Sequence, residues 1–177
     1  NMRREMITIK LNMITRGAMA MALIFVSFSL FKGVTNILNA FLVPMALYLC
    51  CINQKEKQIF TLYFVVIIFC FLFFNIQFFF IIFYCCMAFL LCKLHERKVN
   101  TILSLLILTI TISLSFWIAI TLTDYFFLTH MNSIIMKVLK GNVAKYFMML
   151  IFEGTLVGVG QLFVSRMFYK RVLSIHG

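Results

Sequence analysis

Six apolar stretches, with lysine and arginine crowded into every second gap between them, constrain this chain more than any motif it carries. The stretches run Gly17–Phe31, Thr35–Cys51, Ile59–Phe74, Phe78–Cys92, Ile102–Thr123 and Val143–Val164. Most are somewhat short of the roughly 20 residues that an upright span needs, a deficit that bilayer thinning and tilt can cover. Arg3, Arg4, Lys10 and Arg16 precede the first stretch, and Lys55 and Lys57 follow the second. Lys93, Arg97 and Lys98 follow the fourth, and Arg166, Lys170 and Arg171 follow the sixth. If all six stretches cross, 12 of the 16 basic residues fall on one face, leaving Lys32, Lys137, Lys140 and Lys145 on the other. Short loops biased in this way mark the basic side as cytoplasmic. The expectation is an all-α integral membrane protein of about six transmembrane helices, one domain, with both termini cytoplasmic.

Composition agrees. Hydrophobic residues make up 64% of the chain and charged residues 12%, too few to cover the surface of a soluble domain of this length. The net charge of +11 follows membrane topology instead of forming a groove, so nucleic acid is not expected as a partner. Anionic lipid headgroups are. The weighting toward Phe, Ile, Asn and Lys suggests an AT-rich bacterial genome and a cell-membrane location. Basic residues ahead of Gly17–Phe31 mimic a signal peptide, but no small-x-small cleavage site follows cleanly. The stretch is therefore expected to stay as the first span, joined to the second by an outer hairpin at 32–36.

Several local features refine the layout. Residues 1–16 form a basic arm in which Met2, Met6, Ile9 and Met13 share one side of a helical wheel; a surface helix and a disordered arm both fit. Thr15 is placed to cap the first span. Pro44, the only proline, removes a backbone donor inside the second span. The third and fourth spans meet at Phe71–Phe80, where Asn75 and Gln77 are the only strongly polar side chains, so an outer turn is placed there. Residues 124–145 form the one sizeable outer loop. Within it Ile134, Ile135, Val138 and Leu139 share a face opposite Lys137 and Lys140, with Asn132 or Ser133 as cap and an end near Gly141. That describes an amphipathic helix, either a lid or a float. Residues 165–177 form a basic cytoplasmic tail.

Chemistry-bearing residues are few. Glu153 lies about eight residues inside the boundary at Lys145, about 12 Å deep at 1.5 Å per residue. A carboxylate at that depth costs at least a few kcal/mol unless it is paired, protonated or facing water. It either meets a substrate in an outward cavity or locks helix packing. Glu153, Val157 and Gly160 share a stripe, with Gly154 and Gly158 beside it for close helix approach. Asn36, Asn39, Asn75, Gln77 and Asp124 gather near outer helix ends and, with Trp117, are candidates to line such a cavity. The cysteines, in adjacent pairs at 50–51 and 85–86 with singles at 70 and 92, have no zinc-site spacing, and no metal or other cofactor is expected. His95 lacks the second histidine of a metalloprotease motif and is read as a solvated inner-loop residue, near Cys92 in sequence alone. No phosphate loop, nucleophile elbow or carboxylate pair is present, so an enzyme is not expected.

Gly17, Ala18 and Ala22 put small residues at one-turn spacing near the inner end of the first span. Such a ridge packs either within the bundle or against a partner helix. The six-span layout, together with Ala18-Met-Ala-Met-Ala22 just after a basic amino terminus, resembles the S components of energy-coupling factor (ECF) type ABC transporters. The resemblance implies an outward substrate pocket and docking of the first helix, through Ala18 and Ala22, on a transmembrane coupling subunit. It also implies two cytoplasmic ATPases that power uptake of a small molecule. The runner-up is a non-transporting scaffold or accessory subunit similar to the rod-shape protein MreD, although this chain lacks glycine and aspartate in Phe64–Phe80.

Overall fold

A computed structural model describes residues 2–31, 37–52 and 54–176, with side chains for 15–31, 37–52 and 54–168. Helices account for nearly all of it: α1 (Met2–Leu30), α2 (Ile37–Cys51), α3 (Glu56–Phe73), α4 (Phe78–Glu96), α5 (Thr101–Phe127), α6 (Met131–Val138) and α7 (Val143–His176). A 3-10 turn at Asn75–Gln77 separates α3 from α4, where the two amides interrupt the apolar run. No strand occurs among the described residues.

Among the described residues, four helical segments are long and apolar enough to cross a membrane, namely Glu56–Phe73, Asn75–Glu96, Thr101–Phe127 and Val143–Phe168. The apolar part of α1, Thr15–Leu30, and the 15-residue α2 are shorter. At 1.5 Å per residue α2 covers about 22 Å, less than the ~30 Å hydrocarbon layer. The outward faces are strongly apolar. Leu72 on α3 and Phe163 on α7 are each 71% exposed, and Phe64, Leu106, Ile151 and Phe152 are likewise exposed. Left in water, each such side chain would forfeit about 1.5–3 kcal/mol of burial, so these faces suit lipid, as in a multi-pass membrane protein.

The core is built around α2, which is buried along most of its length and packs on α1, α4 and α7. Leu47 and Tyr48 meet Tyr84, Met87 and Leu91 of α4 in one cluster with Leu108 and Ile112 of α5 and Leu150 of α7. The most extensive helix pair is α5 with α7. It is close because of Gly154, whose missing side chain leaves room for the Thr109 carbonyl 2.9 Å from an ideal Cβ and for the Ser113 hydroxyl. Ser113 Oγ sits within 2.8 Å of the Thr109 carbonyl and 3.0 Å of the Leu150 carbonyl, bridging the two helices. By contrast α3 is peripheral and leans chiefly on α4.

Helix direction alternates. Arg16 and Cys50 meet at one end (Cys50 Sγ donates to the Arg16 carbonyl, 3.1 Å), as do Glu56 with Lys93 and Thr101 with Arg166. The opposite end gathers Phe28 with Phe74, Phe79 with Phe126, and Asn132 with Tyr146. The described basic residues that follow α2, α4 and the apolar part of α7 therefore share an end with Arg16, hereafter the basic end.

Four local expectations are corrected. Thr15 is not at a helix start, because α1 runs unbroken through it from Met2. α6 is capped neither by Asn132 nor by Ser133: its N-cap is His130 in the left-handed region (φ 58°), and Asp124 binds its first amides. α6 faces the bundle through Met131, Ile135 and Leu139, one helical row, while Ile134 and Val138 are exposed. His95 is not a loop residue. It lies in the last turn of α4, half-buried, its ring 5.5 Å from that of Tyr48 and its Nδ1 2.9 Å from the Leu91 carbonyl.

Candidate functional site

Of the residues expected to line an outward cavity, Asn39, Asn75, Gln77 and Asp124 lie at or near the helix ends on the α6 side, while Trp117 and Glu153 lie about ten residues inside α5 and α7. Asn36 lies outside the described residues. Asn39 is fully buried; its Oδ1 accepts from Ser27 Oγ at 2.5 Å and its Nδ2 donates to the Phe31 carbonyl at 2.9 Å. It thereby closes the carboxyl end of α1 onto α2, satisfying a carbonyl that the helix itself cannot. Asn75 is exposed and accepts from the Ile76 amide at 2.8 Å, which holds the turn between α3 and α4. Gln77 is half-buried as the N-cap residue of α4.

Asp124 organises the loop. Its two oxygens accept from Thr129 Oγ1 (2.6 Å), the Met131 amide (2.6 Å) and the Asn132 amide (2.7 Å). A carboxylate on the first amides of α6 supplies both the missing acceptor and a favourable charge at the helix start. The Asn132 side chain accepts in turn from Tyr146 Oη at 2.8 Å, so α5, α6 and α7 are tied together.

Glu153 lies half-buried on the flank of α7 that carries Leu150 and Val157 inward. It makes no hydrogen bond or ion pair among the described residues. Val157 is buried, and Gly160 lies against the Phe41 ring, 3.0 Å from an ideal Cβ. Trp117 is exposed on α5 and lines a cavity of about 330 Å³ with Ser113, Phe147, Leu150 and Ile151, a seam of apolar side chains beside Glu153 in sequence but not bounded by it. Among the described residues no cavity collects these candidates.

Three other regions stand out. A cavity of about 630 Å³ opens between α3 and α4, walled by Phe60, Tyr63, Phe64, Ile67, Cys85 and Phe89, with Lys93 at its basic-end mouth. Lys93 Nζ is held by Glu56 Oε1 at 2.7 Å and Glu96 Oε2 at 3.0 Å. A second cavity, about 260 Å³, is bounded by Leu94, His95, Lys98, Val99, Ser104, Leu162 and Arg166. On α1, Gly17 is turned inward against Leu62 of α3, and Ala20, Ile24 and Phe28 continue that buried row. Ala18 and Ala22 point the other way and are exposed.

Comparison with family models, curated proteins and solved structures gave no match.

Local reading of the sequence missed the second cavity, because its walls come from three separate segments. It also missed Gln161, fully buried, whose Nε2 donates to the Ala40 carbonyl at 2.7 Å. Pro44 was the available signal: a proline frees the carbonyl four residues before it, which here is Ala40. Among the described residues, no group of three His, Cys, Asp or Glu side chains could hold a metal ion.

Proposed function

We propose that this chain is a six-span membrane subunit with both termini cytoplasmic, of the S-component kind, that docks on a larger transport complex through the outward face of α1. The observation that carries this reading is the division of α1. Gly17 and Ala20 serve packing inside the bundle, whereas Ala18 and Ala22 leave a shallow small-residue face that is exposed among the described residues. Close backbone approach between membrane helices depends on such faces, since lipid offers no hydrophobic drive for helix association. The partners would be a transmembrane coupling subunit and its ATPases. A small molecule captured from the outer face would be largely apolar, because Asn39, Asn75 and Asp124 already have hydrogen-bond partners. Glu153 remains as the polar contact for it.

A scaffold or accessory role is the second reading, and one observation favours it: the interior around α2 is packed, and the described cavities do not include Glu153. Gentle-detergent recovery of tagged protein from its native membrane, with mass spectrometry of what is retained, separates the two. Two ATPases and a coupling subunit would support the transporter reading. Cell-wall or division proteins would overturn it and leave Glu153 a packing residue.

A further inference from the structure

We propose that the cavity bounded by His95, Lys98, Ser104 and Arg166 at the basic end holds a phosphate-bearing anion, carried by a lipid headgroup or free in water. Its basic groups come from two helices and a loop: His95 near the end of α4, Lys98 just beyond it, and Arg166 on α7. Leu94 and Leu162, both buried, form an apolar floor, and the first turn of α5 supplies Ser104. The two permanent cations at this cavity, Lys98 and Arg166, repel one another unless an anion joins them.

Counter-charge from the protein is spent elsewhere. Among the side chains described, 15–31, 37–52 and 54–168, the carboxylates at this end are Glu56 and Glu96, and both bind Lys93. Arg166 has a neutral partner, Thr101, whose hydroxyl accepts from Nη1 at 2.6 Å. One edge of a guanidinium fixed in this way leaves its remaining donors in a set geometry, the form in which arginine recognises phosphate. The amino terminus of the 27-residue α5 adds its partial positive charge at the same place.

The turn that ends α4 places Lys98 at the edge of the cavity. α4 ends in a Schellman motif, in which the Val99 amide donates to the Leu94 carbonyl (3.2 Å) and the Lys98 amide to that of His95 (3.1 Å). Lys98 occupies the left-handed position of that motif with φ 48°, where glycine is the unstrained residue. Depth also fits. Arg166 lies twenty residues after Tyr146 on one helix, about 30 Å at 1.5 Å per residue, so it sits one hydrocarbon thickness below the α6 end. Basic pockets between membrane helices at the cytoplasmic side are suited to anionic headgroups.

The lipid source rests on the membrane reading above; binding of free phosphate does not. The test uses the full chain in neutral detergent and three probes: phosphatidylglycerol, phosphatidylcholine and inorganic phosphate. Retained lipid is read by native mass spectrometry and phosphate by the shift in thermal midpoint. Lys98→Gly relieves backbone strain and should not lower the midpoint. Lys140→Gly is its matched control, a lysine at φ 53° closing α6 far from the cavity. Losing one charge-assisted hydrogen bond should cut retention of phosphatidylglycerol roughly tenfold in Lys98→Gly and in Arg166→Gln, and leave it unchanged in Lys140→Gly. Phosphate stabilisation that Lys98→Gly abolishes, with no preference between the lipids, would identify a soluble anion as the occupant. Equal retention by Lys98→Gly and Lys140→Gly, with no phosphate effect in either, would overturn the proposal.

Discussion

Gln161 completes the hydrogen bonding of a helix to which it does not belong: its Nε2 lies 2.7 Å from the carbonyl oxygen of Ala40, the group that Pro44 leaves without an amide partner. Inside a low-dielectric core an orphaned carbonyl is costly; this donor pairs the Ala40 carbonyl, while Gln161 Oε1 stays buried without a partner among the described residues.

Replacing Gln161 with leucine should therefore lower stability by about 0.5–1.5 kcal/mol, the net worth of one hydrogen bond. The Ala40 carbonyl loses its donor, while the buried Gln161 Oε1, unpaired among the described residues, is removed as well. The loss should shrink in the double variant with Pro44→Ala, because alanine at 44 restores a donor to Ala40 within α2. Thermal unfolding of the four proteins in one detergent gives the coupling, and strictly additive effects would refute the link.

Gly154→Ala should be far more damaging than Gly158→Ala. The first places a methyl against the Ser113 hydroxyl and the backbone of Thr109, which cannot yield without separating α5 from α7. At Gly158 the nearest atoms are side-chain carbons at 3.6–3.7 Å, an ordinary contact. Overpacking of this kind costs about 1–3 kcal/mol or more. Recovery of folded protein by size-exclusion chromatography, followed by melting, checks the order.

Asp124→Ala should release the start of α6. Removal of a capping carboxylate costs about 0.5–2 kcal/mol, and here one side chain serves both the Met131 and Asn132 amides. Faster hydrogen exchange at those two amides, with the rest of α5 unchanged, is the expected signature. Unaltered exchange would mean that Asp124 is not what holds the loop.

Ala18→Leu and Ala22→Leu should leave the isolated fold intact, since both positions are exposed, while abolishing recovery of partner subunits. Ala20→Leu should instead impair folding, because Ala20 is 1% exposed and in the core. Normal partner recovery from the first two variants would defeat the docking assignment.

Much of the layout was legible because it rests on long, redundant signals. The break at Asn75–Gln77 could be read because two amides in an apolar run have few other places to go, and a 3-10 turn lies there. The amphipathic helix in the outer loop was legible for the same reason, although its inward row, Met131, Ile135 and Leu139, differs from the predicted face. What stayed hidden was every relationship carried by one side chain over distance. Asp124 caps a helix seven residues away, His95 packs against a tyrosine of another helix, and Gln161 answers a proline in α2. Periodicity averages over such contacts. The candidate site suffered most, since polar residues at helix ends look alike in sequence whether they bind a ligand or close a turn.

The bond between Gln161 and Ala40 also gives the order of synthesis a physical meaning. The two residues are 121 positions apart, so at roughly 5–20 residues per second the ribosome needs about 6–24 s to make the second after the first. Throughout that interval α2 has a polar gap in its backbone and no permanent group to fill it. The helix at the centre of the bundle is thus completed by one that emerges much later, and closure around α2 has to wait for α7.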